Sequence, residues 1–282
     1  MAGSAAAAGR HPRVIVRPPS ASFHRALSTH PGRDLIDTDR ALAQHGAFVA
    51  ALRAAAIDLL VLPAEHDLPD ATFVSDTLVA LPPADDPSAP AALLVVTRPG
   101  APSRRGEVAS VSACAQDLAP DAALVEIEDP GTLDGGDVVV FGDRVAIGVS
   151  ARTNVCGAGQ LALAVQSLGY HAFLCPVERR LHLASGVTAL RPTRLVGTAA
   201  GFASLDRVPG AAPAGGVERI LVPDEEVAAA NVLALAGRVF VAAGNPATEA
   251  RLAAAGETVV SLELDEFTRA DGGPTCLVAI VP

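Results

Sequence analysis
Three short segments far apart in the chain each set one reactive side chain beside an apolar run. They are Leu133-Asp134-Gly135-Gly136-Asp137, Leu181-His182-Leu183 and Asp271-Gly272-Gly273-Pro274-Thr275-Cys276. An acid, a histidine and a cysteine are what a thiol enzyme needs to attack an electrophilic carbon and move the proton of its leaving group. A thiolate attacks a planar carbon best when a nearby cation lowers its pKa, and a histidine protonates the departing group and then activates water. Asp134 or Asp137 is able to hold the imidazole in one tautomer and favour its cation. Order along the chain does not by itself bring the three together.

The spacing supplies an argument that they meet. Polar residues introduce strand-like apolar runs at Asp76, Asp134, His182, Asn231 and Cys276, at intervals of 45 to 58 residues. A marker that returns about every 50 residues signals a repeat architecture. Five equivalent units closed around an axis would point all five markers into one cavity. The longest interval contains the run 82–90, which is rich in proline and aspartate and reads as a loop insertion. The competing explanation is that strand starts in any α/β protein recur at such distances with polar residues at their ends.

The elements that must carry these markers alternate between strand and helix. Val14-Ile15-Val16 opens the fold as a strand, Thr38 is the expected N-cap of a helix to about Ala56 with Leu42, Val49 and Leu52 on its inner face, and Leu59 to Leu62 reads as a buried strand. Further strands are expected over Ala91 to Val96 and Ala123 to Ile127, with a hairpin from Val138 to Val149 turning at Gly142-Asp143. Ser103 is the expected cap of a helix to Leu118, and Asn154 of one that Gly169 ends. The loop 209–216 is not a domain boundary, because the alternation continues beyond it.

Composition narrows the function classes. The chain has 282 residues, half of them hydrophobic, enough for a substantial core. The expected organisation is a disordered tail over 1–11 and one catalytic domain over 12–282. A formal net charge of −10 argues against nucleic acid or an anionic membrane surface as partner and suits a cationic small molecule. All 21 basic residues are arginine, which with the abundant alanine reads as coding bias. Cys114, Cys156, Cys175 and Cys276 form no C-x-x-C pair, so neither a zinc site nor a disulfide framework is expected. Cys114 and Cys175 read as packed small hydrophobes, whereas Cys276 follows a Gly-Gly-Pro turn able to bring backbone close to a ligand. No signal peptide or membrane span is evident, and a cytoplasmic protein is expected. Nothing in the sequence sets an oligomeric state.

Several segments carry a more specific likeness. Leu68-Pro69-Asp70-Ala71-Thr72-Phe73-Val74-Ser75-Asp76, Thr97-Arg98-Pro99-Gly100-Ala101-Pro102-Ser103-Arg104-Arg105, Thr132 to Asp137, Arg152-Thr153-Asn154, Leu181-His182-Leu183 and Thr275-Cys276 occur in order between about Val14 and Ile280. Together they resemble the dimethylarginine dimethylaminohydrolase family of the guanidino-group modifying superfamily. The resemblance implies the pentein fold, a five-bladed αβ propeller of repeated ββαβ units around a central active site. It further implies hydrolysis of Nω-methylated arginines to citrulline and a methylamine, without metal or cofactor.

In that resemblance Cys276 is the nucleophile, His182 the general acid and later base, and Asp134 the carboxylate that orients the histidine or contacts the guanidinium. Asp76 pairs with the substrate's guanidinium. Asp70 and Leu27 contact its amino-acid end, Leu27 from a lid-like loop. Arg104 and Arg152 grip the α-carboxylate, and Ala270 offers a backbone contact near the nucleophile. The chain departs from the family pattern at Ser75, where a glutamate commonly precedes the aspartate. That departure leaves open a sister hydrolase acting on arginine or another guanidino compound. Amidino transfer, and a non-catalytic binding protein on the same propeller, are further alternatives.

Overall fold
The computed structural model of the protein describes residues 13–82, 92–211 and 216–282. The expected tail, the insertion at 83–90 and part of the 209–216 loop lie outside the described residues.

The strands of the described residues form five three-stranded sheets built on one plan. In each, an inner strand pairs antiparallel with a middle strand, a helix follows, and an outer strand returns parallel to the middle one. Four sheets run consecutively along the chain. They are β3 (Leu78–Leu81), β4 (Leu93–Val96) and β5 (Ala123–Glu126), then β6 (Val138–Phe141), β7 (Arg144–Val149) and β8 (His171–Pro176). Next come β9 (Val187–Arg191), β10 (Arg194–Gly197) and β11 (Glu218–Leu221), then β12 (Leu233–Leu235), β13 (Arg238–Ala242) and β14 (Val259–Leu262). The remaining sheet joins distant parts of the chain: β15 (Ala279–Val281) is the inner partner of β1 (Arg13–Val16), and β2 (Asp58–Val61) the outer one.

Helices α1 (Thr38–Ala54), α2 (Val108–Leu118), α3 (Val155–Gln166), α4 (Ala199–Asp206) and α5 (Pro246–Ala254) are the crossovers of the five units, and α6 (Asp265–Arg269) is an addition before the cysteine segment. The five inner strands surround a cavity of about 250 Å³. This is the expected five-bladed αβ propeller. Apolar side chains fill the seams around each crossover, as where Leu161 and Val165 of α3 pack with Val145 and Ile147 of β7.

Each marker residue precedes an inner strand. Asp76, Asp134, Asn231 and Cys276 stand two to four residues ahead of β3, β6, β12 and β15, and His182 stands five ahead of β9. Short 3-10 turns occupy three of the junctions: Val74–Thr77, Gly135–Asp137 and Pro274–Leu277. The functional side chains therefore sit on tight turns anchored by the strands nearest the axis.

Some local expectations are corrected. Helix α1 is capped by Asp37, whose carboxylate accepts from the amides of Asp39 and Arg40 at 3.0 Å, and not by Thr38. Its buried face runs through Ala41, Gln44, His45, Phe48, Val49 and Leu52, leaving Leu42 exposed. Ser103 caps no α-helix, because Pro102 starts a 3-10 turn that runs to Glu107 before α2 begins. Strand β2 is apolar in sequence but mostly exposed, since it is the outer strand of its sheet. Asn154 does cap α3, accepting from the amide of Gly157 at 2.8 Å.

Candidate active site
The turn Gly135–Asp137 arranges two carboxylates of one motif for different tasks. Asp134, fully buried, points Oδ2 at His182 Nε2, 3.0 Å away, and accepts from the Gly100 amide at Oδ1 at 2.8 Å. Asp137, three residues on, accepts from the Leu183 amide at 2.9 Å and from the Ser150 hydroxyl at 2.6 Å. It fixes the backbone beside the histidine, while Asp134 bonds to the ring itself. The choice that the sequence leaves open between them is thus decided by geometry.

His182 sits between two acids. With Nε2 on Asp134, its Nδ1 faces Asp76 Oδ1 at 4.0 Å. Gly136 makes this approach possible: a Cβ there would lie 2.6 Å from His182 Nδ1 and 2.8 Å from Asp76 Oδ1. Burial opposes a charge on the imidazole, but Asp76, Asp134 and Asp137 outweigh it and hold its pKa up at about 9. The ring is a cation at neutral pH.

Asp76 is buried, and its burial also disfavours charge. His182, Arg104 and the Gly136 amide, which donates to Oδ1 at 2.9 Å, outweigh that cost and hold its carboxyl below the ordinary range. Arg104 is buried too. Its NH1 donates to Asp76 Oδ2 at 2.6 Å, its Nε and NH2 donate to Glu107, and NH2 also reaches the carbonyls of Asp70 and Phe73. Glu107, which sequence reasoning passed over, is pushed up to about 7 by burial, partly offset by Arg104. The charge of Arg104 near a helix start is compensated from within the protein.

Arg152 behaves differently. Its NH1 lies 3.5 Å from Asp134 Oδ2, yet this buried nitrogen makes no hydrogen bond. Asp70 is buried, and burial raises its pKa against the pull of Arg104; its Oδ1 accepts from the Leu27 amide at 2.9 Å. Leu27, 39 % exposed, stands on a loop fastened at both ends of the site, since Thr29 donates through its amide (2.6 Å) and hydroxyl (3.0 Å) to Asp271. Ala270 is buried at the end of α6, where its amide donates to the Phe267 carbonyl.

The turn bearing Cys276 packs against the turn bearing Asp76. Burial pushes the thiol up to about 11, with Asp76 adding to the shift and hydrogen bonds from Gly273 and Asn231 among those opposing it. The free thiol is therefore protonated at neutral pH. Ser75 lies beside this group and lines the axial cavity, and its Oγ is buried without a hydrogen-bond partner. Of the other cysteines, Cys114 and Cys175 are buried and Cys156 is exposed on α3. Asp76, Asp134 and His182 also lie close enough to share a cation, but they are the same residues that form the acid and histidine pair.

No family model matches the chain. The N(G),N(G)-dimethylarginine dimethylaminohydrolase of Streptomyces coelicolor is 37 % identical over 265 residues, spanning 94 % of this chain and 95 % of its own. The chain belongs to the dimethylarginine dimethylaminohydrolase family. The Pseudomonas aeruginosa dimethylarginine dimethylaminohydrolase is 33 % identical over 94 % of this chain and 97 % of its own. A cysteine-to-serine mutant from that organism, solved in complex with citrulline, superposes with a TM-score of 0.83 at 32 % identity, covering 95 % of this chain and 98 % of the other. Sharing the fold alone is the N-terminal domain of a cyanobacterial arginine dihydrolase, with a TM-score of 0.76 at 17 % identity over 96 % of this chain and 98 % of its own. Among the described residues no helix is long and apolar enough to cross a membrane.

Proposed function
We propose that the protein hydrolyses Nω-methylated L-arginine to L-citrulline and methylamine or dimethylamine, with Cys276 as nucleophile. The observation that carries this reading is the placement of buried His182, bonded to Asp134 through Nε2 at 3.0 Å and with Nδ1 facing Asp76 at 4.0 Å, between two acids that favour its cation. It supplies an acid at the place where an amine must leave. Membership of the dimethylarginine dimethylaminohydrolase family supports the choice of substrate.

The steps follow from the charges. A cationic guanidinium docks against Asp76, and its charge favours loss of the Cys276 proton to solvent. The thiolate attacks the guanidinium carbon. His182 Nδ1 gives its proton to the departing amine, leaving an S-alkylthiouronium on the cysteine. The imidazole, now neutral, takes a proton from water as the oxygen attacks the same carbon; collapse of the adduct breaks the carbon–sulfur bond and releases citrulline, the adduct's hydroxyl proton passing to the departing sulfur to restore the thiol. Asp70, with one oxygen already held by Leu27, receives the substrate's ammonium group. Arg152 supplies positive charge toward the α-carboxylate while its NH1 is paired with Asp134 at 3.5 Å, and Arg104 adds positive charge while its donors serve Asp76 and Glu107. Leu27 contacts the substrate's amino-acid end from its loop, and Ala270 offers a backbone contact near Cys276.

The test is incubation of the purified protein and its Cys276→Ser variant with asymmetric dimethylarginine, monomethylarginine and arginine, measuring citrulline and released amine. Citrulline from the methylated compounds, abolished by the substitution, is the expected result. Turnover of arginine alone would move the assignment to a sister hydrolase, in keeping with Ser75.

A further inference from the structure
One of the five marker residues has no part in the reaction as written. Asn231 stands two residues ahead of β12, as Asp76 stands ahead of β3, and its side chain lies against the nucleophile. We infer that Asn231 is a catalytic residue of the proposed reaction: its carboxamide N–H donates to the Cys276 sulfur and stabilises the thiolate.

Four contacts carry the assignment. The Nδ2 atom lies 3.5 Å from Sγ, a hydrogen-bonding distance for sulfur. The orientation of the amide is forced, because Oδ1 accepts from both the Thr275 amide at 3.0 Å and the Thr275 hydroxyl at 2.9 Å. With oxygen committed to two donors, the NH₂ group has to face the thiol. The backbone around Asn231 is held as well, since the Thr188 hydroxyl donates to the Ala230 carbonyl at 2.8 Å and accepts from the Val232 amide at 3.4 Å. Finally, a Cβ at position 273 would lie 2.6 Å from Asn231 Cγ, so Gly273 is what lets the amide enter beside the cysteine.

Burial strengthens the effect. Asn231 is 6 % exposed, so its donor meets little competition from water, and a hydrogen bond to an ionised sulfur is stronger than one to the thiol. The same amide stabilises the sulfur again when it leaves in the last step.

The inference rests on the proposed reaction for its meaning but not for its test, which needs no substrate. Alkylation of Cys276 by iodoacetamide is followed across pH through the mass of the peptide carrying Cys276, so that exposed Cys156 does not interfere. Wild type is compared with Asn231→Ala, Asn231→Asp and Thr275→Val, each checked for folding by circular dichroism. The alanine variant is expected to raise the apparent thiol pKa by about one unit and slow alkylation about tenfold on the acid side of the curve. The aspartate variant, nearly the same shape but acceptor-only, slows it further, and Thr275→Val gives a smaller change of the same sign. Curves for the folded Asn231 variants that coincide with wild type, or that fall equally at all pH values, overturn the inference. If Asn231→Ala does not fold, Asn231→Asp decides in the same way. A shifted curve in a protein that hydrolyses no methylarginine would retain the role of Asn231 toward sulfur and remove the proposed substrate.

Discussion
His182 Nδ1 and Asp76 Oδ1 face each other at 4.0 Å across a gap that a single methyl group at position 136 would fill. The distance is too long for a hydrogen bond but short enough for the carboxylate to favour the imidazolium. The proposed acid and the carboxylate proposed to receive the guanidinium thus share one small space. Gly136→Ala pushes them apart and displaces the proton donor. Displacements of about 1 Å at a reacting centre cost on the order of 10²-fold. The expected outcome is a kcat lower by about that factor with KM changed much less, read by steady-state citrulline formation.

The pH dependence follows from the imidazole. Its folded pKa of about 9 lies above the ordinary value of about 6.5, so the stability gained from the charged ring is fully present below about 6.5 and is lost as pH rises through about 9. In the substrate complex, where the bound guanidinium has already favoured loss of the thiol proton, the acid that serves the leaving amine is consumed as pH rises: kcat at saturating substrate falls on the alkaline side as His182 loses its proton. Asp134→Asn removes the hydrogen-bonded carboxylate, which brings the fall to lower pH. A pH–rate profile and thermal melts at pH 6 and pH 10 check both statements.

How far these relationships could be read beforehand differs residue by residue. The strand-leading markers are visible because each strand is a short apolar run with one polar residue before it, and period and polarity are local properties. The division of labour between Asp134 and Asp137 is not visible, since both acids flank the same Gly-Gly pair and only the turn decides which one reaches the ring. Glu107 escapes notice because its meaning depends on Arg104 folding back over the 3-10 turn. Asn231 marks a strand in the sequence, but its chemistry appears only when Thr275, 44 residues away, takes its oxygen. The exposure of β2 was hidden for the opposite reason: its residues are apolar, and only sheet order reveals an edge.

Arg104 offers a test of stability rather than rate. It is almost fully buried between Asp76 and Glu107, and removing it strands two carboxylates in the interior. Arg104→Met is expected to cost about 3–5 kcal/mol, the range for breaking a buried pair from one side. The loss shrinks as pH falls, because protonation neutralises the stranded acids, and Glu107, already held at about 7, takes up its proton early. Denaturant melts at pH 5 and pH 8 measure the difference.

Asp271 fastens the Leu27 loop to the segment that carries Cys276. Its backbone adopts φ +58°, which glycine tolerates better than aspartate. Asp271→Gly therefore keeps the turn while deleting the acceptor, and Asp271→Asn keeps both the turn and an acceptor. Tryptic cleavage after the exposed Arg25 and Arg33 is expected to accelerate several-fold in the glycine variant and far less in the asparagine one. Equal cleavage rates in the two would mean that the carboxylate does not hold the loop.

Strand β15 pairs antiparallel with β1, more than 260 residues earlier, and Cys276 stands just before it. The pairing of Val14 with Ile280 closes the ring of sheets, and the turn bearing Cys276, next to it, packs on the turn bearing Asp76. The Asp134–His182 pair belongs to the approach to two other sheets. The proposed nucleophile and the proposed acid are therefore supplied by opposite ends of the sequence, and the strand that closes the ring is the one that anchors the sulfur.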